Sequence, residues 1–150
     1  MQTLEFESIT YKFDMISLDG EEEWARWARS QAMAEAEEFS RDWPAATRIP
    51  FLAEVSKGAS LAQCGFISDF GLQNLQTIGG MAKVLELAAR KLMPVPHPSY
   101  EVMLRLVKGS ELAAVLQICA LVIPVSEDAR KMMIGDLEKK VSGLKASGLS

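Results

Sequence analysis

Trp24, Ala28, Ala32, Ala36, Phe39 and Trp43 recur at intervals of three and four residues, a spacing that only a helix gathers onto one face. The stretch therefore reads as one long amphipathic helix over residues 20–42. Asp19 offers a start cap, Glu22 stands three positions further on as in a capping box, and Glu21 to Glu23 suit the positive end of a helix dipole. Glu22 with Arg26 and Glu37 with Arg41 fall four apart on the wet side, where such pairs support a helix. Pro44 ends the pattern by disfavouring helical geometry in the residue before it.

Upstream the period changes from helical to two. Leu4 and Phe6 alternate with polar residues, and Ile9, Tyr11, Phe13 and Met15 alternate in the opposite phase after Glu7 and Ser8. That pattern predicts a β-hairpin within residues 1–17. A lone hairpin is unstable in water, so its apolar side must lie on helices or on another chain's strand.

Downstream, Pro50, Gly58, Gly65, Gly71 and the Gly79-Gly80 pair cut the text into short helices near 51–57, 60–66 and 69–76. Met81, Val84, Leu85, Ala88 and Leu92 form a stripe opposite Lys83, Glu86, Arg90 and Lys91. The Pro94–Pro98 segment reads as an extended connector. Ser99, Ser110 and Ser126 stand as caps before helices near 100–107, 111–123 and 127–141. Residues 142–150 should fray. The expected fold is mainly α: an N-terminal β-hairpin, then a compact bundle of about six to seven helices filling residues 44–141. Length favours one domain over residues 1–150.

Composition narrows the function classes. Residues 1–43 carry eleven carboxylates and four bases, residues 44–150 nine and twelve, and the whole chain is −4. An acidic chain lacks the concentrated basic surface that a nucleic-acid backbone demands. The most apolar stretch, Leu112 to Val125, is too short to span a bilayer. The opening MQTLEFESITYKF has neither the basic start nor the apolar stretch of a secretory signal, so a cytoplasmic location is expected. Cys64 and Cys119 lie in apolar text and read as small buried hydrophobes, since two cysteines make neither a disulfide framework nor a zinc site here.

Catalytic signatures are scarce. The one histidine, His97, is wedged between prolines and is assigned no role, which removes most histidine-dependent nucleophile and metal sites. Gly79-Gly80 precedes a helix but matches neither the dinucleotide fingerprint nor the P-loop. The carboxylates cluster on a helix face expected to be exposed, where acid–base pairs with separated pKa values do not arise. The chain reads as a non-enzyme without cofactor or metal. Two features point to binding: Trp24 and Trp27 on the acidic helix, and the methionines Met81, Met93, Met103, Met132 and Met133 in the rear helices. Tryptophan suits interface centres and methionine suits adaptable apolar surfaces, though both also fill cores.

The order of these parts resembles a known family. Residues 4–13 (LEFESITYKF), then Ile16 to Leu18 and the helix containing residues 24–28 (WARWA), look like the N-terminal half of tail assembly chaperones of long-tailed phages and prophages. Residues 80–91 (GMAKVLELAARK), followed by the proline-rich turn with His97 and Pro98 and a further helix, are similar to that family's second half. Residues 44–79 have no counterpart, and Ser8 and Ile9 stand where many relatives place a turn glycine.

The resemblance implies a non-catalytic chain in the host cytoplasm that coats an apolar tape-measure protein and helps recruit tail-tube subunits. Whether it also forms a homo-oligomer stays open. Trp24, Trp27, Met81, Leu85 and Met103 are the residues expected to touch the partner. A competing reading is an acidic immunity protein or antitoxin whose residues 21–38 plug a basic toxin site. A third is a small carboxylate-dependent hydrolase or transferase.

Overall fold

A computed structural model describes residues 1–60, 64–66, 74–90, 92 and 98–146, without the side chains of residues 136–138 and 140–146. The chain is mainly α with an N-terminal hairpin, as its periodicities require. The described elements are strands β1 (Gln2–Phe6) and β2 (Ile9–Phe13), then helices α1 (Leu18–Phe39), α2 (Ala45–Gly58), α3 (Ile78–Ala89), α4 (Tyr100–Gly109), α5 (Leu112–Val122) and α6 (Glu127–Ala146). They divide into two compact units, one of residues 1–17 with 75–150 and one of residues 18–74.

In the first unit the strands pair antiparallel, with Leu4 opposite Tyr11 and Phe6 opposite Ile9. Only Glu7 and Ser8 lie between them, and both have positive φ, 50° and 65°, as a two-residue type I′ turn demands. Tyr11 and Phe13 are buried, Leu4 and Phe6 are half-buried and Ile9 beside the turn is exposed, while Thr3, Glu5, Thr10 and Lys12 on the other face look to water, so the apolar side is covered at the end of the hairpin away from its turn. Beyond β2 the chain serves helix ends. The Asp14 amide donates to the Ala88 carbonyl at 3.0 Å and the Ile16 amide to the Val122 carbonyl at 2.9 Å. These carbonyls lie in the last turns of α3 and α5, where helices leave acceptors without internal partners.

Helix α3 is buried nearly all round, with Met81, Val84, Leu85, Leu87 and Ala88 in the core. Its one charged side, Lys83 and Glu86, is itself mostly covered and paired at 3.3 Å, which makes α3 the central helix of its unit. Thr77 caps its start, accepting from the Gly80 amide at 2.9 Å, and Ser99 does the same for α4 from Val102 at 3.2 Å. Ser126 caps α6 through the Ala129 amide at 3.2 Å. Ser110 departs from expectation: α4 runs on to Gly109, which makes Ser110 its C-cap, and Glu111 opens α5 without a side-chain cap bond. Helix α6 passes Ser142 and Gly143 and reaches Ala146, where a frayed tail was expected. Once nucleated, a helix gains a bond per residue, which offsets the roughly 1 kcal/mol penalty of a glycine.

In the second unit α1 starts at Leu18, one residue before the expected cap, so Asp19 lies inside the first turn. It stops at Phe39, three residues short of the expected end and well before Pro44. Ser40 turns the chain: its hydroxyl donates to the Ala36 carbonyl at 2.7 Å, and the Trp43 amide donates to the Ser40 carbonyl at 3.0 Å. Because residue 41 is past the helix, Arg41 pairs with Glu38 instead of Glu37. The Glu22–Arg26 pair forms as expected, at 3.8 Å.

Pro44 acts as the N-cap residue of α2, a helix that runs straight through Pro50. The proline ring removes the amide that would bond the Ala46 carbonyl, but both residues are exposed and water can serve that acceptor. The short helices expected near 60–66 and 69–76, the 94–98 connector with His97, Met93 and residues 147–150 fall wholly or largely outside the described residues.

Candidate interaction surface

Three arginines fix helix ends, and two of them shape the second unit. Arg29 of α1 sends Nη1 to the carbonyls of Ser56 and Ala59, at 3.2 and 2.9 Å, and Nη2 to the Ser56 hydroxyl at 3.0 Å. Arg48 of α2 reaches back, with Nε 3.3 Å from the Ser40 hydroxyl and Nη2 3.4 Å from the Glu37 carbonyl. Each guanidinium thus sits at the C-terminal, partially negative end of the other helix, where a cation is favoured. Arg130 repeats the device in the first unit, donating to the Ile123 carbonyl just past α5 at 3.1 Å and to Glu127 at 2.8 Å.

The reciprocal pair Arg29 and Arg48 holds α1 and α2 as a helical hairpin. Ala25, Ala28, Ala59 and Cys64 form its buried seam, with Ala32 and Trp27 packed against it. Small residues on α1 let the chain beyond α2 come close. Burial raises the Cys64 thiol pKa, and the neighbouring Arg29 charge pulls it partly back. Cys119, in the first unit, is pushed up to about 12 by burial, so both cysteines are the inert buried residues that the sequence implied.

The turn between α1 and α2 gathers three aromatic rings. Phe39 meets Trp43 edge-on at a centroid distance of 5.3 Å, Trp43 lies 4.8 Å from Phe51, and Phe39 lies 6.1 Å from Phe51. These are favourable tilted and edge geometries for aromatic pairs. Trp43 and Phe51 are half-buried, yet Phe39 stays 70% exposed, although its spacing placed it on the inner face of α1. Phe39 occupies the last position of α1, where Ser40 turns the chain, and among the described residues the rings of Trp43 and Phe51 lie against it.

The residues assigned to partner contact lie elsewhere. Met81, Leu85 and Met103 are core residues of the first unit, each no more than 2% exposed. Trp24 is fully buried, stacked on Phe66 at 4.8 Å and 5.3 Å from Trp27. Trp27 is half-buried. Truncating a fully buried Leu or Met costs about 2–5 kcal/mol of stability, so lost binding in such a variant would report unfolding before it reported contact. The Trp24 indole N–H is buried without a hydrogen-bond partner among the described residues. Sequence reasoning missed Arg29 and Arg48, for which the available signal was an unpaired arginine among the alanines of an apolar helix face.

Among the described residues no group of three His, Cys, Asp or Glu side chains is placed to hold a metal ion. No described helix is long and apolar enough to cross a membrane. Compared with known protein families, curated proteins and solved structures, the chain matches none of them.

Proposed function

We infer that the chain is a non-catalytic binding protein that shields an apolar helical partner, in the manner of a phage tail assembly chaperone acting on a tape-measure protein and tail-tube subunits. The observation that carries this reading is the exposed Phe39 ring, backed by the half-buried Trp43 and Phe51, on an arginine-braced helical hairpin. A rigid support with an uncovered aromatic is the arrangement by which small proteins engage apolar segments. The sequence supports it through the hairpin, the acidic tryptophan helix and residues 80–91, which together resemble that chaperone family.

The test is co-expression with the large helical protein encoded beside it. Several copies per long apolar partner, and a partner that stays soluble only when the chain is present, are the expected results. A tight one-to-one complex with a small basic toxin would replace this reading with the immunity-protein one.

A further inference from the structure

Residues 35–42 carry Glu35, Glu37, Glu38 and Asp42 against the single base Arg41, and all five side chains are exposed. Glu38 is neutralised by Arg41, whereas Glu35, Glu37 and Asp42 have no ion pair among the described residues. Glu35 lies one turn before Phe39 on the same helical face, and Asp42 directly precedes Trp43. The other nearby cation, Arg48, is engaged with the Ser40 hydroxyl and the Glu37 carbonyl. Arg48 keeps its charge beside these neutral acceptors, so residues 35–48 hold four carboxylates against two guanidinium groups, and the exposed ring of Phe39 is flanked by a net charge of −2.

Resting on the binding role inferred above, we propose that this cluster is a docking site for a cationic amphipathic helix, one whose apolar stripe meets Phe39, Trp43 and Phe51 while flanking lysines or arginines meet Glu35 and Asp42. The charge selects this occupant. An anionic membrane surface or a nucleic acid would bring like charge to the carboxylates, and two copies of the chain docking by this same patch would oppose Glu35 and Asp42 to themselves. A helix carrying its own bases gains on both counts: apolar area is covered and the carboxylates are paired at the rim, which speeds encounter.

Two labelled peptides of about 20 residues, long enough to be helical alone, share one Leu and Ala stripe and differ only in lysine or glutamate flanks. Anisotropy titration with the full chain should show the lysine peptide binding at least about tenfold more tightly than the glutamate peptide, with the gap closing at high salt. Phe39→Ser, at a site too exposed to threaten the fold, should weaken the lysine peptide by about tenfold or more. Glu35→Lys with Asp42→Lys should reverse the preference.

Equal binding of the two peptides, no binding of either, or indifference to Phe39→Ser would overturn the proposal. Light scattering of the free chain supplies a further refutation: a dimer that Phe39→Ser returns to monomer would make a second copy the occupant. Co-expression separates the two levels. If Phe39→Ser still keeps the large partner soluble, this docking site fails while the chaperone role stands; if the wild-type chain does not keep it soluble, the role fails whatever the peptides do.

Discussion

Replacing Arg29 by methionine tests whether the α1–α2 hairpin is held by its arginines or by its thin alanine seam. Methionine keeps much of the aliphatic stem and removes the guanidinium, so three donated hydrogen bonds, at 2.9, 3.0 and 3.2 Å, are lost together. A hydrogen bond to a charged group is worth about 1.5–3 kcal/mol, but bonds made by one side chain are not additive and Arg29 is half-exposed. Among the described residues the Ala59 carbonyl keeps only the weak Cys64 thiol, at 3.4 Å, and Ala59 itself is fully buried, so water cannot simply replace the guanidinium there.

Together these considerations set the loss at about 2–4 kcal/mol. All three tryptophans, Trp24, Trp27 and Trp43, lie in residues 18–74, whereas both tyrosines lie outside them. Tryptophan fluorescence during urea unfolding therefore reads the second unit. With a slope of about 2 kcal/mol per molar urea, the midpoint should fall by about 1–2 M. Arg29→Lys should recover only part of it, because an ammonium lacks the fork that reaches both Ser56 and Ala59. A methionine variant within about 0.5 kcal/mol of wild type, or a lysine variant as stable as arginine, would refute the account.

Other substitutions probe the remaining local features. Ser8→Gly should stabilise the chain by about 0.5–1 kcal/mol in thermal unfolding, because the left-handed penalty at φ 65° exceeds the added unfolded-state entropy of glycine; destabilisation would contradict the turn geometry. A Cβ at Gly109 would come within 2.6 Å of the Phe6 ring, so Gly109→Ala should cost about 1–3 kcal/mol. Phe6→Leu, measured alone and with Gly109→Ala, should then show a double-mutant coupling that removes most of that cost. Pro50→Ala restores the amide missing from α2 and should raise the tryptophan-detected midpoint by the equivalent of about 1–3 kcal/mol. The thiol of Cys119, pushed up to about 12 from 9.0, binds its proton more tightly in the folded state. Its stabilising contribution is therefore complete below about pH 9 and falls by about 1.4 kcal/mol per pH unit above it, a slope that Cys119→Ala should abolish in alkaline unfolding curves.

What the sequence disclosed and what it hid divide along a physical line. Periodicity is local, and it located the hairpin, the long acidic helix, the α3 stripe and the caps at Ser99 and Ser126, because each depends on residues within a few positions of one another. Glu7 and Ser8 gave no turn signal, since neither is the Asn or Gly that usually accepts positive φ; the pairing of Leu4 with Tyr11 and Phe6 with Ile9 forces that conformation upon them. Pro50 reads as a breaker only if the helix is judged by intrinsic propensity, and the Arg48 tether outweighs it.

The partner-contact residues failed to separate from the core for a different reason. A buried tryptophan and an interface tryptophan are chosen by the same chemistry, so Trp24, Met81, Leu85 and Met103 satisfied both descriptions until their exposure was known. Phe39 shows the converse: its helical angle falls on the stripe with Ala32 and Ala36, yet it stands 70% exposed at the last position of α1. Past it the chain turns through the Ser40 hydroxyl bond to Ala36 and is clamped there by Arg48. That contact spans eight residues and two helices, so it is set by packing that no single helical period encodes, and removing it with Arg48→Met should alter the exposure of Trp43 before it alters the helix content of α1.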